Sequence, residues 1–164
     1  IDSRVVTDAV LVEAPGVGRL IEEVLGRLEP EPRLRRVRGD ERRTDLASCS
    51  LAWTASGTAT LECALLDVPM IVGYRLQALS YLLAKLLVDV PHIALANLIA
   101  RRRAFPELIQ GRWNPADLAA TTTRLMAHDL EASRAELQVV RQRLGPPGAS
   151  RRAAEAVLEH LARA

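Results

Sequence analysis

The sequence predicts an α/β domain, a Rossmann-like parallel sheet flanked by helices, with a helical segment at its C-terminal end. Two observations carry this prediction. Short β-branched runs alternate with stretches of helical spacing as far as Tyr74, and a strand, a helix and a strand follow one another directly between Leu51 and Tyr74. Such a unit has a right-handed crossover and parallel strands. From Pro115 onward every apolar pattern is helical.

The first half of the chain supplies most of the predicted strands. Val5–Val12 is a β-branched run that ends at a Pro-Gly pair, and the helical spacing after it continues to the proline-containing break at Glu29–Pro32. The predicted strands are Val5–Val12, Leu34–Val37, Leu51–Thr54 and Met70–Tyr74, with Ile93–Leu98 as a further short extended segment. The predicted helices here are 17–25, Thr44–Ser48 and 58–65.

The second half is predicted to be helical. Leu76–Val88 is apolar on nearly every face, and Lys85 is its only cationic residue. The later helices are Pro115–His128, Leu130–Leu144 and Ala149–Leu161, the last two separated by a break rich in glycine and proline. We therefore divide the chain into a partial Rossmann-like domain, residues 1–112, and C-terminal helices, residues 113–164, that pack on it.

Composition excludes several classes of protein. The chain has 164 residues, 49% of them apolar and 26% charged, which suits one globular core. A net charge of +2 is too small to argue for nucleic acid. Cys49 and Cys63 are isolated cysteines without metal-ligand spacing, so they suit a reducing compartment. No apolar run approaches the roughly 18 residues of a membrane span.

The informative segment is Thr54–Thr58, where a strand gives way to a helix through small residues. Ligands bind at the carboxyl edge of a parallel sheet, and the first N–H groups of a helix favour anions. Gly57 lets a phosphate approach the backbone, while Ser56 and Thr58 offer hydroxyl groups. Glu62, one turn later, could accept hydrogen bonds from sugar hydroxyls. The same residues would also suit a simple N-cap and a solvated glutamate, and the residues alone leave both interpretations open.

Several segments resemble the lipid-A-disaccharide synthase family. The central one is Ala55–Cys63, followed by Val68–Arg75. Leu83–Val88, Leu95–Ala100 and Pro106–Gln110 continue the resemblance in register, and the last two are similar to the family's asparagine-containing segment and its PELxQ segment. The likeness extends from about residue 10 to the end of the chain.

The resemblance implies a glycosyltransferase with a GT-B fold that needs neither a metal nor a cofactor. It implies condensation of UDP-2,3-diacylglucosamine with 2,3-diacylglucosamine 1-phosphate to give lipid A disaccharide 1-phosphate and UDP. Ser56, Gly57 and Thr58 would hold the diphosphate and Glu62 the ribose. Arg75 and Asn97 would act on the donor side. We expect the acceptor groove and the general base in an N-terminal domain that this chain does not contain, so the chain alone should be inactive.

The sequence also departs from the family pattern. The family's glycine after the asparagine segment is Arg101 here, and the residue before Asn97 is Ala96 where the family has proline. A change from glycine to arginine disturbs any backbone that needs a positive φ angle. The family's arginine-containing phosphate loop at the start of this domain is also not found, so we expect part of the donor site outside this chain.

One apolar segment is predicted to meet another surface, and one arginine-rich segment is predicted to face solvent. Leu76–Val88 suits contact with a membrane or with another domain, so we expect peripheral attachment at the inner face of the inner membrane, in the cytoplasm. Arg33–Arg43 is interpreted as a solvated strand and loop rather than a lipid-binding patch. Exposed strand edges favour aggregation or a homo-oligomer of the isolated chain.

Three functional hypotheses follow. The first is the donor-binding part of a lipid-A-disaccharide synthase. The second is another GT-B enzyme for UDP-sugars, such as a MurG-like transferase or an epimerase. The third is a truncated domain without catalysis that acts only as a partner. Binding of UDP separates the first two from the third, and activity on a sugar without acyl chains separates the second from the first.

Overall fold

A computed structural model describes residues 8–29, 33–39, 41–77 and 91–163. Within them, five strands alternate with helices in the predicted α/β order. The strands are β1 Ala9–Val12, β2 Leu34–Val37, β3 Ala52–Ala55, β4 Met70–Tyr74 and β5 Glu107–Ile109. The helices are α1 Gly18–Leu25, α2 Glu41–Ser48, α3 Thr58–Leu65, α4 Leu95–Ala100, α5 Pro115–Arg124, α6 Leu130–Leu144 and α7 Ala149–Ala162. A 3-10 turn, Gln110–Arg112, follows β5, and a π-helical turn, Leu125–Asp129, joins α5 to α6.

All the strand pairs among these residues are parallel. β1 pairs with β2 in a two-stranded sheet, and β3, β4 and β5 form a second sheet with β4 in the middle. The registers place Ala55 opposite Gly73 and Tyr74 opposite Ile109. The carboxyl ends of β3, β4 and β5 therefore share one edge, and each strand runs into its next segment there.

The core lies on both faces of β4. Met70 and Val72 belong to a buried cluster with residues from α3, α4 and α6, whereas Ile71 packs on the opposite face with Leu108 and Leu125. Alternate side chains of a strand point to opposite faces, so burial of all three shows that helices cover this sheet on both sides. The α/β layered prediction is thereby confirmed.

Most predicted elements occur close to their expected bounds. β2, β4 and α6 match their predictions residue for residue, while α2 begins at Glu41, before the predicted Thr44. The part of the first predicted strand before Asp8 lies outside the described residues. So does almost all of the predicted helix Leu76–Val88, of which only Leu76 and Gln77 are described.

Two predictions around the last strand were wrong. Ile93–Leu98 was expected to be extended, but α4 occupies Leu95–Ala100. β5 was not predicted at all. The first error has a tertiary cause, because the buried carboxylate of Glu107 accepts hydrogen bonds from Ile93 N (3.1 Å) and Ala94 N (3.0 Å), the N–H groups just before α4. A contact between segments that are distant in sequence decides the local structure here.

Candidate functional site: the carboxyl edge of the central sheet

The turn between β3 and α3 is built around Gly57. Its φ of 124° and ψ of −155° lie in a region that only glycine adopts readily. A Cβ added at this position would meet nothing within 4 Å, so the requirement comes from the backbone angles and not from crowding. The Ser56 N–H donates to the Gly73 carbonyl oxygen at 3.3 Å, which joins this turn to the end of β4.

Helix α3 begins without a side-chain cap. Gly57 itself occupies the N-cap position, and no side chain accepts a hydrogen bond from the first turn. The hydroxyl groups of Ser56 and Thr58 have no hydrogen-bond partner among the described residues, and neither does the exposed carboxylate of Glu62. The capping interpretation of Ser56 therefore does not apply in this structure. The helix instead presents unpaired N–H groups, two hydroxyls and a carboxylate along one turn, at the edge where parallel sheets bind ligands.

The buried side chain of Thr60 fixes the turn between β3 and α3. Its hydroxyl donates to the Gly57 carbonyl oxygen at 2.7 Å and accepts from Ala96 N at 3.3 Å, and the residue is completely buried. One side chain thus ties the turn that begins α3 to the first turn of α4. Sequence reasoning missed this residue, although a threonine among apolar helix positions is the signal that could have found it.

Arg75 lies just beyond β4, on the same edge as Ser56. Its side chain is exposed and has no ion pair within the described part of the chain. The next residue, Leu76, is held by Gln110, whose Oε1 accepts from Leu76 N at 2.8 Å and whose Nε2 donates to the Leu76 carbonyl oxygen at 3.2 Å. The family resemblance includes Gln110 in its PELxQ segment, but it does not predict the contact with Leu76.

Asn97 occupies a different position from the other predicted residues. It is completely buried, and its Nδ2 donates to the Phe105 carbonyl oxygen and to Glu107 Oε1, each at 2.9 Å. Its Oδ1 accepts from Phe105 N at 2.8 Å. All of these partners are internal, so the side chain connects α4 with β5 and leaves no polar group toward the surface. The structure does not bring Asn97 together with the exposed groups of Ser56, Thr58, Glu62 and Arg75.

The position that departs from the family pattern adopts the expected unusual backbone. Arg101 ends α4 with a φ of 55°, in the left-handed region that favours glycine. Its side chain is exposed and makes no hydrogen bond or ion pair with the described residues. The arginine thus ends α4 in a backbone conformation that favours glycine, at the conformational cost that its backbone angles carry.

A groove of about 610 Å³ lies at the ends of β1 and β2. Glu13 lines it and accepts hydrogen bonds from Arg36 at 2.7 Å and Arg38 at 2.6 Å. These two hydrogen bonds, that from Arg36 first, lower the pKa of the Glu13 carboxyl below its ordinary value. Three arginines of the segment, Arg35, Arg36 and Arg38, are therefore engaged in ion pairs within the protein, which its interpretation as a solvated strand and loop did not predict.

The tryptophans pack beside the site. The ring of Trp113 lies against Gly73, where a Cβ would come within 2.5 Å of ring carbons. Trp53 donates from Nε1 to the Thr122 hydroxyl at 3.0 Å, and both rings line a hollow of about 390 Å³. A glycine is therefore required at position 73, because any side chain there would collide with the ring of Trp113.

Comparison with known proteins decides the family. The sequence model of the family described as lipid-A-disaccharide synthetase matches residues 4–159. The chain belongs to this family. It is 45% identical over 111 residues to the lipid-A-disaccharide synthase of Syntrophus aciditrophicus, a match that covers 66% of this chain and 29% of that protein.

Two further relatives give the same result. The lipid-A-disaccharide synthase of Anaeromyxobacter dehalogenans is 47% identical over 109 residues, covering 65% of this chain and 28% of that protein. That of Geobacter sulfurreducens is 41% identical over 115 residues, covering 69% of this chain and 30% of that protein. The matched segment thus spans less than a third of each of these relatives. Among the described residues, no helix has the length and apolar character needed to cross a membrane.

Proposed function

We propose that this chain forms the UDP-sugar donor site of a lipid-A-disaccharide synthase. The observation that carries the proposal is the uncapped start of α3, with Gly57 at the N-cap and free hydroxyls at Ser56 and Thr58. A diphosphate supplies the acceptors that these donors lack, and the helix dipole favours its negative charge. Glu62 lies one turn further on, where its carboxylate would accept hydrogen bonds from the ribose hydroxyls.

The reaction we propose for the whole protein transfers the sugar of UDP-2,3-diacylglucosamine to 2,3-diacylglucosamine 1-phosphate. The acceptor hydroxyl attacks the anomeric carbon, the bond from that carbon to the diphosphate breaks, and UDP leaves. Arg75 and the N–H groups of α3 would stabilise the charge that develops on UDP. We propose that the general base and the acceptor groove belong to a part of the relatives that the matched segment does not cover, and that this chain alone is inactive.

The chemistry of the proposed substrates also bears on where the protein acts in the cell. Because both substrates carry acyl chains, we propose that the protein works as a peripheral protein at the cytoplasmic face of the inner membrane. The apolar segment Leu76–Val88 supports this on its composition alone.

Titration calorimetry of the chain with UDP tests the donor site. We expect binding that weakens by about tenfold or more in Glu62→Ala, since charge-assisted hydrogen bonds contribute about 1.5–3 kcal/mol. Glu159→Ala is the matched control, because Glu159 is an exposed helical glutamate without an ion pair among the described residues. Circular dichroism would confirm that each variant keeps its helical content.

Two outcomes would contradict the proposal. Absence of binding at about 1 mM UDP would favour a chain that serves only as a partner. Equal loss in both glutamate variants would show that the effect is general charge and not a contact at α3.

A further inference from the structure

The backbone on both sides of Arg75 is held by contacts with the segment that contains β5 and Gln110. Tyr74 before Arg75 is the last residue of the β4–β5 register, paired with Ile109, and Leu76 after it is bound by the Gln110 amide. The amide of Gln110 meets both backbone polar groups of Leu76, at 2.8 Å and 3.2 Å, as a neighbouring strand would. The Gln110 side chain thus continues the pairing of β4 with β5 as far as Leu76, although the backbone at Gln110 has already left the strand.

Gln110 adopts an unusual backbone to make this contact. Its φ is 54°, in the left-handed region, at the first residue of the turn Gln110–Arg112. A residue other than glycine adopts that conformation at a cost, and it persists only where surrounding contacts enforce it. The double contact with Leu76 is such a contact, and the Trp113 N–H closes the turn by donating to the Gln110 carbonyl oxygen at 3.0 Å.

Arg75 is a cationic residue next to the proposed diphosphate site. Arg75 follows Tyr74 at the carboxyl edge of β4, and Ser56 is bonded to Gly73 of the same strand. An exposed arginine without an ion pair among the described residues has many rotamers, and a fixed backbone reduces the volume that its guanidinium explores. We propose that Gln110 is a positioning residue for Arg75, one that acts on the donor diphosphate through Arg75 and does not touch it.

The inference rests on the proposed donor site, and a double-mutant cycle tests it. Gln110→Met keeps the length of the side chain and removes the amide. We expect UDP affinity to fall by about threefold to tenfold in Gln110→Met and by about tenfold in Arg75→Ala. In the Arg75→Ala background, Gln110→Met should change the affinity by less than about twofold, because the group it positions is gone.

Two further variants separate positioning from stability. Asn114→Ala is the matched control, since the Asn114 amide also bonds backbone groups, donating to the Gly111 carbonyl oxygen at 2.8 Å and accepting from Asp117 N at 3.0 Å. It should lower the thermal midpoint and leave UDP affinity unchanged. Gln110→Gly removes the backbone strain together with the clamp, and it should lose as much affinity as Gln110→Met.

The outcomes distinguish this inference from the donor site itself. If Glu62→Ala weakens UDP binding while Gln110→Met does not, Gln110 has no positioning role and the donor site stands. An equal loss from Gln110→Met with and without Arg75 would also overturn the inference, because the effect would then not pass through Arg75. If neither Glu62→Ala nor Arg75→Ala changes UDP binding, the donor site fails first and the inference fails with it.

Discussion

Replacement of Arg101 by glycine should stabilise the protein. Arg101 ends α4 at a φ of 55°, and a left-handed conformation costs a residue with a Cβ about 1–2 kcal/mol. Glycine removes this cost but adds freedom to the unfolded chain, a loss of about 0.4–1 kcal/mol. The exposed arginine makes no hydrogen bond or ion pair with the described residues, so little else is lost. Taken at mid-range, the two figures leave a net gain of about 0.8 kcal/mol.

Thermal unfolding followed by circular dichroism measures this gain. At about 2–4 °C per kcal/mol for a chain of this size, Arg101→Gly should raise the midpoint by about 1–4 °C. Arg101→Ala is the control, because it removes the same charge and side chain but keeps the Cβ that conflicts with the backbone angle. It should leave the midpoint unchanged or lower.

The reasoning would be refuted by either of two results. A similar rise in Arg101→Ala and Arg101→Gly would trace the effect to the charge or the side chain and not to the backbone. A fall in Arg101→Gly would mean that the arginine makes a favourable contact that outweighs its conformational cost.

Four other substitutions or measurements test the structure. Gly73→Ala should destabilise the fold by about 1–3 kcal/mol, because its Cβ would lie 2.5 Å from the ring of Trp113, and Trp113→Leu should relieve part of that loss in the double variant. Thr60→Val should cost about 1–3 kcal/mol in denaturant unfolding, with Thr60→Ser closer to the parent, since only the serine keeps the hydroxyl. The lowered pKa of Glu13 gives stability that is present above its ordinary value of 4.5 and is lost as the pH falls through the lower folded value, so Glu13→Gln should flatten the acid side of a stability–pH curve. Burial raises the pKa of the Cys63 thiol to about 12, so Cys63 should resist iodoacetamide at pH 8 in the native protein and react after unfolding, as read by mass spectrometry.

The sequence predicted the elements whose signals are local. β4 follows Pro69 and carries a continuous apolar run, which is the pattern of a strand buried on both faces. α6 has helical spacing and ends at a glycine with a positive φ, so its bounds could be predicted to the residue. Elements of this kind can be predicted without knowing which segments pack against them.

β5 and α4 could not be predicted because each depends on a distant partner. β5 has only three residues, too few for alternation to be recognised, and it exists because it pairs with β4. α4 begins with apolar residues and no side-chain cap of its own, since Glu107 supplies the acceptors from β5. The sequence of α4 is therefore typical of an extended segment. The prediction was wrong because the acceptor for its first N–H groups is Glu107, which lies outside the local sequence around residue 95.

The candidate site shows the same division. Ser56, Thr58 and Glu62 were proposed from residue type and spacing, because the start of a helix at the edge of a parallel sheet follows simple rules for binding anions. Thr60 and Gln110 were not found, because their partners are backbone groups of other segments. A buried polar residue in an apolar run was the available signal, and it indicates that a partner exists without telling which one.

The site thus consists of two sets of residues with opposite demands. The groups proposed to contact UDP are exposed and have no partner in the described structure, so they can exchange water for ligand at little structural cost. The supporting groups, Thr60, Asn97 and Gln110, are buried or clamped, and each bonds to a backbone group that would otherwise be left without its partner. A single side chain could not serve both demands, because a polar group saturated inside the protein has nothing left to offer a ligand. Asn97 therefore belongs with the supports: it ties α4 to Phe105 and β5, and α4 in turn bonds to Thr60 through the Ala96 N–H.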